Sequence, residues 1–143
     1  MTTKEYLSQV RKYDGRINKE LEELDYLREL AKGISSISTS SVKVKSSGNK
    51  DLLSKRVVKI AELESKIDDM VDNYVEKRRI ILEQLHSLDN ELEVEVLYKK
   101  FFKGMTIEEI GYDIGYSRTG VYNLYSSGMI SFEQKYLKTY KNL

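Results

Sequence analysis

Two glycines four residues apart, Gly111 and Gly115, sit inside the run Thr106–Leu124, TIEEIGYDIGYSRTGVYNL, and their spacing constrains the fold more than any other feature of the chain. Two helices that cross closely at a steep angle need a very small residue on the first helix at the crossing point, and Gly111 supplies it. The chain must then leave the first helix through a tight turn, where Gly115 accepts positive φ at no steric cost. Ile110, Ile114, Tyr116, Val121 and Leu124 fall where apolar residues must flank the crossing, end the first helix, follow the turn and line the inner face of the second. Thr106 with Glu109 three residues on forms a capping box, and Ser117 after the turn is an N-cap. Together these positions predict a helix-turn-helix, with DNA as the first candidate ligand. An ordinary helical hairpin with glycine at its bend is the plainer alternative, and docking of a protein is a second use of the motif.

The rest of the chain points to helices. It has 143 residues, no Pro, no Cys and 33% charged residues, a composition that favours long helices and excludes structural disulfides and cysteine-based zinc sites. The start, MTTKEYLSQVRKYD, lacks the apolar core of a signal peptide, and no run of about 18 apolar residues occurs, so no membrane partner is expected and the cytoplasm is the expected location. The net charge of +1 is uneven: residues 1 to 50 carry +3, residues 51 to 95 carry −5 and residues 96 to 143 carry +3. A basic C-terminal part joined to an acidic middle suggests which end would face a duplex, although the excess is small.

Three stretches precede the glycine motif. From about Lys4 to Lys32, Leu7, Val10, Ile17, Leu21, Leu24, Leu27 and Ala31 recur mostly at steps of three or four and predict an amphipathic helix stopped by Gly33. Residues 34–50 are rich in Ser and form an expected loop, within which Val42 and Val44 alternate with Lys43 and Lys45 as a short extended piece. Positions 53, 57, 60, 64, 67, 71, 74, 78, 81, 85 and 88 then step by four and three; all are Leu, Val, Ile or Tyr except Glu64 and Arg78. That repeat reads as a coiled-coil seam on a helix from about Asp51 to His86, on the order of 50 Å long. Such a stripe must pack on the first helix, on a second copy, or on both. Glu64 and Arg78 would set register, pair across an oligomer seam or lie at the edge of the stripe, the last being favoured. Ser87–Asn90 ends the rod, and Leu92, Val96, Leu97, Phe101 and Phe102 mark a shorter helix before a turn at Gly104. Beyond Leu124, apolar residues through Tyr140 continue or restart a helix, with a break or kink at Gly128. The expected architecture is therefore all-α: a long antiparallel helical hairpin over 1–90 with the Ser-rich loop at 34–50, followed by a helix-turn-helix module over 91–143.

The run Leu92–Phe132 resembles the fourth conserved region of bacterial sigma factors, whose helix-turn-helix reads an upstream promoter element. Nearly the whole chain, with the SSVKVKSSGNKD loop and the long second helix, is similar to a family of small phage- and prophage-encoded proteins of Gram-positive bacteria, largely catalogued as a domain of unknown function and associated with sigma-like or late-gene regulation. The resemblance implies a recognition helix that begins at Ser117 and aims Arg118, Thr119 and Asn123 at base edges in the major groove. The chemistry of these side chains suits that role: Arg118 for guanine, Asn123 for adenine, the Thr119 methyl for a thymine methyl. Ser117 and Tyr122 would contact phosphate, and Lys135, Lys138 and Lys141 would add nonspecific attraction. Arg118 is the only charge on the helix itself up to Gly128, where the family is usually richer in Arg and Lys, which implies that a second copy or RNA polymerase adds affinity.

Enzymatic motifs are lacking. His86 is the sole histidine, no phosphate-binding glycine loop or metalloprotease motif occurs, and Glu62, Glu64, Asp68, Asp69 and Asp72 read as a solvated helix face; no cofactor or metal is expected. The eleven tyrosines read as packing and interface residues. The leading expectation is thus a regulator that binds double-stranded DNA as a dimer, with or without RNA polymerase. A DNA-packaging component of small-terminase type, in which the usual order of parts is reversed, and a protein-interaction module are the alternatives.

Overall fold

The computed structural model describes residues 1–40 and 47–143. The described residues form five helices, α1 (Thr3–Ser40), α2 (Ser47–His86), α3 (Glu91–Phe101), α4 (Ile107–Ile114) and α5 (Arg118–Tyr140), and no strand, so the protein is all-α. The Val42–Lys45 alternation lies outside the described residues. Local side chains set the helix starts. Thr2 accepts from the Glu5 amide at 3.1 Å while Glu5 accepts from the Thr2 amide at 3.0 Å, a reciprocal box that opens α1. Asn90 Oδ1 accepts from the amides of Leu92 and Glu93 and opens α3. Two expected breaks are absent. α1 passes through Gly33 to Ser40, because one glycine costs a helix only about 1 kcal/mol. α5 likewise passes through Gly128 without interruption.

The chain divides into two compact units, Met1–Asp14 with Tyr74–Leu143, and Gly15–Asn73. In the second unit Ile17, Leu24 and Ile67 are buried, and the ion pairs Glu20–Lys66 at 2.9 Å and Arg28–Glu64 at 3.0 Å join α1 to α2. The buried stripe of α2 there departs from the expected seam. Val57 is 54% exposed and Val71 is also exposed, whereas Leu63 and Met70, one position earlier than expected at alternate steps, are half-buried. Turning the helix this way buries Leu63 and leaves the Glu64 carboxylate in water beside Arg28, which avoids desolvating a charge.

The first unit holds the larger core. Tyr6, Leu7 and Val10 from α1 pack with Ile81 and Leu85 of α2, Leu88 beyond it, Val94, Leu97 and Phe101 of α3, and Phe132 and Tyr140 of α5. The Tyr6 and Tyr140 rings stack at 4.5 Å. Their hydroxyls are satisfied, Tyr6 by Gln84 and Tyr140 by Thr3, each at 2.7 Å. Arg78 lies with its guanidinium 4.9 Å from the Phe102 ring centroid, off the core stripe. A second, smaller cluster joins Val96 of α3, Ile110 of α4 and Val121 of α5. Gly128 is the point where α5 crosses α3: a Cβ there would stand 3.2 Å from Glu93 Cβ and from Leu97 Cδ1. Glycine at this site therefore permits close packing rather than a bend. No helix among the described residues is long and apolar enough to cross a membrane.

Gly128→Val should push α5 away from α3 and lower stability by about 1–3 kcal/mol, read as a drop in the urea midpoint. An unchanged midpoint would mean that the two helices are not in close contact.

Candidate nucleic-acid interface

The candidate site is built where α4 meets α5. Thr106 caps α4 by accepting from the Glu109 amide at 3.1 Å, and its hydroxyl also donates to the Glu109 carboxylate at 3.2 Å. Gly115 ends α4 in the left-handed region with φ 74°, and the Tyr116 amide returns to the Gly111 carbonyl at 3.0 Å. Ser117 then caps α5 by accepting from the Gly120 amide at 3.1 Å. Gly111 is buried in the crossing, where an added Cβ would lie 2.7 Å from the Tyr116 carbonyl oxygen and 3.3 Å from Val121 Cγ2. Ile110 and Val121 are fully buried, Ile114 and Leu124 pack against them, and Tyr116 remains 42% exposed.

This arrangement leaves Ser117, Arg118, Thr119, Tyr122 and Asn123 exposed together at the start of α5. Lys135 and Lys138 are not brought to them, since at 1.5 Å per residue they stand about 25 and about 30 Å further along the same helix. Lys135 instead donates to the Ser87 carbonyl at 2.8 Å. The uncharged stretch after Asn123 has a packing cause at one position. Gly128 is buried against α3 and closed to a basic side chain, while the exposed Ser127 donates to the Glu93 carboxylate at 2.7 Å.

Charge at the interface is more balanced than the recognition residues suggest. Arg118 Nη1 lies 3.2 Å from Glu108 Oε1 in the first turn of α4, with both side chains largely exposed. The Lys99 side chain, largely buried, lies between Glu95, at 3.1 Å, and Asp113 of α4. The hydrogen bond from Lys99, reinforced by its charge, holds the Asp113 carboxyl below its usual pKa. Bonds to Asp113 and Glu95 hold Lys99 above its own, against the opposing effect of burial. Tyr112 stands between these pairs with 96% of its surface exposed. Sequence patterning gave no sign of the Glu108–Arg118 or Lys99–Asp113 pairs, because each joins separate helices through the turn geometry. Comparison with family models, curated proteins and solved structures gives no match.

Two outcomes follow from these contacts. Gly111→Ala should force the Tyr116 backbone outward and cost about 1–3 kcal/mol, measured by urea unfolding, with amide shifts concentrated on Tyr116 and Val121. Asp113→Asn should lower stability at neutral pH. A depressed carboxylate pKa contributes stability that is complete above the unfolded value of about 3.9 and is lost as pH falls through the folded value. The difference between variant and wild type should therefore close in acid; a gap that persists at low pH would show that the pair does not act electrostatically.

Proposed function

We propose that the protein is a sequence-specific DNA-binding regulator of transcription, of the sigma-like kind that the sequence resemblance suggests for phage late genes. In this reading α4 and α5 act as a helix-turn-helix, and α1 and α2 as an antiparallel, coiled-coil-like hairpin. The observation that carries it is the crossing at Gly111, where the absent Cβ and the Ser117 cap leave Arg118, Thr119, Tyr122 and Asn123 exposed on adjacent turns of α5. Arg118, Thr119 and Asn123 have the chemistry for direct reading of base edges from a helix N-terminus, and Tyr122 that for a phosphate contact. The order of the α1–α2 pairs within each unit supports the hairpin: Tyr6 with Gln84 and Tyr13 with Lys77 in one, Glu20 with Lys66 and Arg28 with Glu64 in the other.

Arg118 faces Glu108, with Glu109 and Asp113 on the same short helix, so one module neutralises few phosphates by its reading face. Binding with a second copy or with RNA polymerase supplies the missing contacts. Exposed Val57, Val58 and Val71 on α2 provide apolar surface for a second copy. The same acidic face with its exposed Tyr112 favours a second reading, a module that docks a basic protein segment.

Footprinting on DNA adjoining the gene, with and without RNA polymerase, tests the proposal; protection of a promoter is expected. Arg118→Ala should cost about 1–3 kcal/mol of specific binding. Glu108→Gln should release Arg118 and strengthen binding. Absence of protection even with polymerase, together with binding of a Lys/Arg-rich peptide that Glu109→Gln weakens, would replace the DNA reading with the docking one.

A further inference from the structure

We infer that a second phosphate-binding surface lies beside the start of α4, built from Arg11, Arg78 and Lys103 over the stacked rings of Tyr98 and Phe102, an inference that rests on the DNA reading above. Three cations from three parts of one compact unit meet there. The Arg11 guanidinium lies against Gly104, so close that a Cβ on that glycine would stand 1.3 Å from Nη1. Arg78 Cζ is 4.9 Å from the Phe102 centroid and Lys103 Nζ is 5.9 Å from the Tyr98 centroid. The two rings stack at 5.1 Å.

These three share the lack of a carboxylate partner with most of the described cations; what distinguishes them is that they gather around the Tyr98–Phe102 rings and Gly104. Arg28, Lys66, Arg79, Lys99 and Arg118 each face a carboxylate, whereas among the described residues Arg11, Arg78 and Lys103 have none within 4.0 Å. Asp113, whose carboxyl senses Lys103, is already taken by Lys99. A guanidinium or ammonium held over a ring is partly fixed before it binds, and its N–H groups stay free to donate.

Position connects the patch to the reading face. Gly104 lies two residues before the Thr106 cap, at most about 7.6 Å away between Cα atoms. Glu108, two residues after that cap, holds Arg118. Patch and recognition helix thus flank one helix start, and a duplex read by α5 would carry its phosphate backbone past Arg11 and Lys103. Phosphate contacts of this kind add affinity without sequence preference.

The test compares the full chain with its Arg11→Gln/Arg78→Gln/Lys103→Gln variant, using a fluorescent duplex of random sequence over a range of salt. Binding should weaken on every sequence, and the salt slope should fall by about three phosphate contacts. Between about 50 and about 200 mM salt the wild type should then lose roughly 40-fold more affinity than the variant. Because Arg78 packs on Phe102, Arg11→Gln/Lys103→Gln is measured alongside, with the helical circular-dichroism signal checked; its slope should fall by about two contacts. Lys19→Gln/Lys59→Gln should leave the slope unchanged. Duplex binding with an undiminished slope in both patch variants overturns the inference and leaves the DNA reading standing. An undiminished slope with loss of polymerase co-sedimentation assigns the patch to an acidic protein surface instead. No duplex binding by the wild type, alone or with polymerase, overturns both.

Discussion

The close passage of α5 over α3 at Gly128 is the contact on which the rest of the larger unit depends. Without a Cβ at that point α5 runs unbroken from Arg118 to Tyr140, about 35 Å at 1.5 Å per residue. One helix therefore carries Val121 into the small cluster with Val96 and Ile110, and Phe132 and Tyr140 into the aromatic core with Tyr6. The exposed first turns of α5 are held locally by the Val121 cluster and the Gly111 crossing, and their helix is anchored again at its opposite end. A helix broken at residue 128 would have left the two clusters to set their geometry independently.

In the proposed DNA-reading role, electrostatics at the α4–α5 junction would work against tight binding and toward discrimination. Glu108 lies against one end of the exposed Arg118 guanidinium, so an anion that takes the Nη1 edge competes with a carboxylate. At exposed sites such a pair stabilises by no more than about 1 kcal/mol, and it yields to a bidentate partner that offers better geometry. On a duplex, nonspecific phosphate contact would offer less in return than a guanine edge, which would raise selectivity while lowering overall affinity. The Lys99–Asp113 pair acts differently, since Lys99 is nearly buried and ties α4 to α3.

What was legible in the sequence was local. The Thr106 and Ser117 caps, the left-handed Gly115 and the small Gly111 each follow from chemistry within a few residues, and the structure contains all four. What was not legible required a distant partner. Gly128 looks the same whether a helix bends or is approached closely, and only Glu93 and Leu97 decide between these. The seam on α2 shifted because Leu63 and Met70 compete with Glu64 and Val71 for one face, a contest settled by α1. Tyr6, Leu7 and Val10 read as an amphipathic stripe like any other, and nothing near them indicates that α5 is among their partners. Arg118, Thr119, Tyr122 and Asn123 are all exposed on the first two turns of α5, whereas Lys135 and Lys138 stand well along the same helix, a separation that charge alone does not carry.

The Thr3–Tyr140 hydrogen bond joins residues 137 positions apart, and it bears on how the chain behaves on the ribosome. The first turns of α1 emerge early with Tyr6, Leu7 and Val10 unpaired, and their last aromatic partners follow after more than a hundred further residues. At about 5–20 residues per second that interval lasts seconds, far longer than helix formation or collapse. During synthesis Tyr6, Leu7 and Val10 can thus meet Ile81 and Leu85 of α2 well before Phe132 and Tyr140 exist to complete the cluster.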